Sequence, residues 1–157
     1  AEKALEVNPE DPKVLSLVGG IFTEMKDFEK AVQYLEQAME KEPDNADTVF
    51  NLANAYLGKG NLEKAAGLFT KSLENNPDDH QALYQLGSIY DKSKKYDEAI
   101  STFQKVVDLK PQFARGWDAL YKAYAHKSAA TEGEEAREAA KKAEEALNMA
   151  NALGGGE

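Results

Sequence analysis

At 157 residues, with 42% hydrophobic and 30% charged side chains, the chain is about one domain long and apolar enough to bury a core. Its formal charge of −9 comes from 28 acidic and 19 basic residues with no basic cluster, which argues against nucleic acid as a partner. The absence of cysteine excludes disulfides, thiolate metal sites and cysteine nucleophiles. No apolar run approaches the ~20 residues that span a bilayer, so membrane insertion is not expected.

A single period organises what remains. Pro9, Pro43, Pro77 and Pro111 stand 34 residues apart, and other columns keep the same step. Phe22, Tyr56, Tyr90 and Tyr124 form one, and Val18, Leu52, Leu86 and Leu120 another. Ala31, Ala65 and Ala99 form a third, and Leu35, Phe69 and Phe103 a fourth.

In chain order, residues 1–11 read as the end of a preceding repeat. Ala4, Leu5, Val7 and Pro9 match Ala38, Met39, Lys41 and Pro43, the close of a second helix whose mate is missing. Such a stub leaves an apolar face open, which implies further repeats upstream, or self-association through it. Residues 12–45 form the first whole repeat, with Asp11 as cap and Pro12 suited to a first helical turn. Asp27 caps its second helix.

Residues 46–79 repeat the plan. Asn45 is the cap, and Val49, Leu52, Ala53 and Tyr56 share one helical face at i, i+3, i+4 and i+7. Gly58-Lys59-Gly60-Asn61 makes the turn, with Asn61 capping a second helix that carries Ala65, Phe69 and Ser72. In residues 80–113 Asp79 caps the first helix, but Lys95 holds the second capping place and is a weak cap. Residues 114–153 are a degenerate last repeat and capping helix. Tyr121 replaces the small residue of Gly19, Ala53 and Gly87, which sets the facing helix further away. Ser128–Gly133 reads as a longer linker, and Glu134–Ala152 as an Ala/Glu/Lys terminal helix facing water. Glu138 and Lys142 are spaced to pair on it. Residues 154–157 form a glycine tail.

Leu83-x-x-Leu86-Gly87-x-x-Tyr90 followed by Ala99, Phe103 and Pro111, and Trp117-x-x-Leu120 then Tyr124, resemble the tetratricopeptide repeat family. The resemblance implies an all-α, right-handed superhelical solenoid of antiparallel helix pairs with a C-terminal capping helix. It also implies that the first helix of each pair lines a concave groove, and hence a non-catalytic module for a partner protein or extended peptide. The alternative is a structural spacer or self-association segment of a longer array.

The groove positions are those opposite the core stripe. Lys13, Ser16, Leu17 and Gly20 come from the first repeat, and Asp47, Phe50, Asn51, Asn54 and Leu57 from the second. Gln81, Tyr84, Gln85, Ser88 and Asp91 come from the third, and Arg115, Asp118, Ala119 and Lys122 from the last. Asn51, Asn54, Gln81 and Gln85 form an amide strip, with the donors and acceptors a peptide backbone needs. Phe50 and Tyr84 share a column and offer an aromatic platform. Family members that grip C-terminal carboxylates use a Lys–Asn pair, an Asn and a Lys–Arg pair in successive repeats. Here the matching places hold Ser16 and Gly20, Asn51, then Gln81 and Gln85, so a carboxylate clamp is disfavoured. Arg115 and Lys122 leave room for a weak anion site.

No catalytic, cofactor or metal site is expected. His80 and His126 lie in different repeats with no local Cys or second His, and no phosphate loop, dinucleotide glycine pattern or nucleophile elbow occurs. His80, beside Asp78 and Asp79, reads as part of a solvated capping turn. A soluble chain is expected, with the cytoplasm slightly favoured and no compartment signal to decide it.

Overall fold

The computed structural model describes residue 8 and residues 10–154. The proposed stub residues Ala4, Leu5, Val7 and Pro9, and most of the glycine tail, lie outside them. Among the described residues there are eight helices and no strands. They are α1 (Pro12–Glu24), α2 (Phe28–Lys41), α3 (Ala46–Gly58), α4 (Leu62–Asn75), α5 (His80–Lys92), α6 (Tyr96–Leu109), α7 (Ala114–Ala130) and α8 (Gly133–Ala152). The fold is all-α, built of antiparallel pairs, and divides into two compact units, Ala1–Pro77 and Asp78–Glu157.

Capping chemistry sets the helix starts. Asp11 Oδ1 accepts from the Lys13 amide at 2.8 Å, Asn45 Oδ1 from Thr48 at 3.0 Å, and Asp79 Oδ1 from Gln81 at 2.9 Å. Asp27 and Asn61 cap α2 and α4 through the amides of Lys30 and Lys64. Lys95 stands at the same place before α6 with no side-chain cap bond.

In the first unit, α3 packs against both members of the α1–α2 pair. Val18, Leu52, Ala31, Ala65, Leu35 and Phe69 are buried in its core. Gly19 belongs to that packing, since a Cβ there would stand 2.4 Å from Leu35 Cγ. Gly58 corrects the expected turn. It closes α3 under the Phe28 ring, where a Cβ would meet Cε1 at 2.2 Å, and Gly60 alone turns the chain, at φ 79°.

In the second unit, α7 packs against α5 and α6. Phe103, Val107, Leu120 and Ala123 form its core with Ala146 of α8. The expected long linker is absent. Ser128, Ala129 and Ala130 extend α7 to 17 residues, against 13 in α1, α3 and α5, and only Thr131 and Glu132 separate it from α8. Thr131 Oγ1 donates to Lys127 O and Ser128 Oγ to Ala136 O, both at 2.9 Å, which satisfies backbone carbonyls at the tight corner. α8 meets α7 through buried Ala139, Ala143, Ala146 and Ala150. Glu138 and Lys142 pair at 2.9 Å on its exposed side.

Candidate protein-interaction site

The first unit holds an open groove of about 390 Å³ lined by α1 and α3. Leu17, Gly20, Ile21, Thr23 and Glu24 come from α1, and Asn51 and Asn54 from α3. Leu17 is 60% exposed, high for a leucine inside a helix. The small Gly20 lets Asn51 approach, as a Cβ there would lie 3.4 Å from Asn51 Nδ2. Both asparagines are half-buried, and neither amide is engaged by another described protein group. An apolar floor with two free amides and one carboxylate can hold a main chain and seat an apolar side chain.

Four expected contacts from the first unit therefore converge: Leu17, Gly20, Asn51 and Asn54. Ser16 does not join them. It is buried and hydrogen-bonded through its Oγ to Thr48 Oγ1 at 3.0 Å, tying α1 to α3 beneath the groove. Phe50 is half-buried and in T-shaped contact with Phe69 at 5.7 Å, so part of its ring is engaged within its own pair. Ile21, Thr23 and Glu24 escaped the sequence reading. Glu24 lies four residues after Gly20 and seven after Leu17, so the signal was there in the helical spacing.

The second unit places its expected contacts on α5 and α7. Gln81 and Arg115 are exposed, and Gln85 is half-buried. Tyr84 packs on Phe103 at 5.8 Å and on Phe113 at 5.7 Å, and Ser88 Oγ returns to Tyr84 O at 2.9 Å. Both are thus partly committed within the unit, the Tyr84 ring to Phe103 of α6 and to Phe113 before α7, and the Ser88 hydroxyl to the backbone of its own helix. Lys122, at the expected anion site, is paired in the structure: its Nζ donates to Asp118 Oδ2 at 2.6 Å, which raises its pKa. Asp91 likewise meets His126 Nδ1 at 2.8 Å. His80 departs from the expected solvated turn: its half-buried ring stands edge-on to Phe113 at 6.0 Å.

Charge also ties the helices of each unit together. Lys127 of α7 reaches Asp97 of α6 at 2.6 Å and Glu135 of α8 at 3.0 Å, and its pKa rises to about 12 because both carboxylates accept from it. In the first unit the Tyr56 hydroxyl of α3 donates to Glu36 of α2 and accepts from Lys64 at 2.9 Å. Burial and the Glu36 carboxylate push the Tyr56 pKa up.

A family model described as tetratricopeptide repeat matches residues 22–80 and 57–123, well over half of the chain. The chain belongs to the tetratricopeptide repeat family. A sequence search of curated proteins finds no significant match. Among solved structures, a crystal structure of MamA is similar at 24% identity and a TM-score of 0.77, with 94% of this chain and 84% of that one covered. A second MamA structure gives 22% identity and a TM-score of 0.81, over 99% and 82% of the two chains. A MamA RS-1 double mutant gives 20% and 0.83, over 95% and 78%. At these identities the likeness speaks for the fold. The tetratricopeptide fold is a protein–protein interaction scaffold, and such proteins are in general non-catalytic. No described helix is long and apolar enough to cross a membrane.

Proposed function

We propose that this tetratricopeptide chain binds an extended segment of a partner protein in the α1–α3 groove. The free amides of Asn51 and Asn54 beside the exposed Leu17 carry the reading. The amides bond the segment's main chain, while Leu17 and Ile21 receive an apolar side chain. Gln81, Tyr84, Gln85, Ser88 and Arg115 are the corresponding contacts offered by the second unit, with Lys122 already paired. Repeat surfaces of this kind place most of the energy in a few residues.

The test begins with a displayed library of unstructured peptides selected on the purified chain. Selected peptides are expected to lose about five- to tenfold in affinity on Asn54→Ala, with the melting temperature unchanged, as loss of one hot-spot hydrogen bond implies. A Gln85→Ala variant asks the same of the second unit. Affinities indifferent to Asn51→Ala and Asn54→Ala, or a library that yields no binder, overturn the proposal.

A further inference from the structure

The α1–α3 groove has two chemically different ends. Leu17 and Ile21 make it apolar toward the start of α1, and Glu24, the last residue of that helix, is the single charged side chain lining it among the described residues. Leu17, Gly20, Ile21 and Glu24 fall at i, i+3, i+4 and i+7, so they share one face of α1. Thr23 beside them is spent, its hydroxyl donating to Gly19 O at 3.0 Å.

Glu24 is not spent. It is exposed, and none of the first unit's ion pairs among the described residues includes it. Lys26, two residues on, has left the helix at φ 61° and pairs with neither Glu24 nor another described carboxylate. α1 itself has no basic residue in its last turn to offset the helix's negative end.

Axial positions set the order of contacts. At about 1.5 Å per residue, Glu24 lies roughly 7 to 8 Å beyond the midpoint of Leu17 and Ile21. Asn51 comes between, its Nδ2 standing 3.4 Å from where a Cβ on Gly20 would be. An extended chain advances about 6.6 to 6.8 Å in two residues and turns both of those side chains to the same side. A segment lying along α1 with an apolar side chain on Leu17 and Ile21 therefore brings the side chain two residues away to Glu24, whichever way it runs. The main chain between the two passes the Asn51 amide.

We infer that the partner segment carries a lysine or arginine two residues from its apolar anchor, and that Glu24 selects it. The inference rests on the groove reading above and adds the ligand's charge to it. An acidic side chain in that place meets like charge, on a chain whose net charge is already −9.

Peptides selected from the displayed library on the parent chain are expected to be enriched in lysine or arginine at that one spacing. Selection on a Glu24→Lys chain is expected to turn the same position acidic. One selected peptide, fluorescein-labelled and read by anisotropy, should lose about three- to fivefold in affinity when its basic residue becomes glutamine, and about as much on a Glu24→Gln chain. Both changes together should cost no more than either alone, because they remove one interaction. Glu24→Gln should keep the parent's thermal melt, since the side chain is exposed. Glu40→Gln, which removes an exposed carboxylate of α2 outside the groove, should leave the affinity unchanged. Binders that weaken on Asn54→Ala yet ignore Glu24→Gln, or that lose as much on Glu40→Gln as on Glu24→Gln, overturn this inference and leave the groove standing. Binders indifferent to Asn51→Ala and Asn54→Ala, or a library that yields none, remove the groove and this inference with it.

Discussion

Two glycines in the first unit show how differently a missing side chain can act. A Cβ on Gly19 would press into Leu35 Cγ at 2.4 Å, whereas one on Gly67, inside α4, meets nothing within 4 Å. Leu35 is fully buried and has nowhere to retreat. Gly19→Ala is therefore expected to cost ~1–3 kcal/mol, as overpacking of a filled core does. Gly67→Ala should instead add ~0.5–1 kcal/mol by restricting the unfolded chain and favouring helix. Urea unfolding of the two variants checks both signs. The small-residue column was readable as a place of close approach, but the part played by Gly58 under the Phe28 ring was not, because that contact joins residues thirty positions apart. At Lys127 the charge is the point. Its pKa is raised from 10.5 to about 12, so its stabilising contribution is complete below 10.5 and fades as pH rises through 12. Lys127→Met should cost ~0.5–1 kcal/mol at pH 8, the range for partly exposed ion pairs, and the gap from the parent should close across that alkaline window in denaturation curves.

Helices in this chain differ from one another mainly at their ends. α2 and α4 begin under Asp27 and Asn61, whose side chains bond the amides of Lys30 and Lys64, while Lys95 before α6 makes no such bond. The backbone at Lys95 (φ −91°, ψ 70°) nearly repeats that at Asp27 (φ −85°, ψ 71°) and Asn61 (φ −83°, ψ 80°). A short polar side chain would find the geometry already made. Lys95→Asn is expected to raise stability by ~0.5–1.5 kcal/mol, measurable as a higher melting temperature. Capping was legible in the residues because it acts within three positions of the chain. The corner after α7 was not. Ser128 and Thr131 look like loop residues, yet their hydroxyls serve carbonyls of the helices they join, and the extra length became helix.

At the scale of the molecule, each unit exposes a different kind of surface. The α1–α3 groove combines apolar and amide groups, and a furrow between α7 and α8 is alanine-walled beside one carboxylate. Leu17 is the sharpest test of the first. Because it is 60% exposed, Leu17→Asp should change stability by no more than ~0.5 kcal/mol. The same change should cost about tenfold in affinity for peptides selected on the parent, read by titration calorimetry.

The helical class, the pairing of helices and the membership of the core columns all followed from residues repeating at 34 positions. Such a fold is made of local contacts and nearest-neighbour stacking, so its instructions are written locally and then repeated. Packing alone settled which polar positions stayed available. Ser16 and Asn51 both read as groove residues, yet Ser16 is consumed by Thr48 from the next repeat while Asn51 remains open. Lys122 read, with Arg115, as room for a weak anion site, and it pairs with Asp118 one turn away, a pairing its spacing permitted but did not compel. A side chain has one set of bonds to spend, and which neighbour claims it depends on distances that exist only after the helices have met.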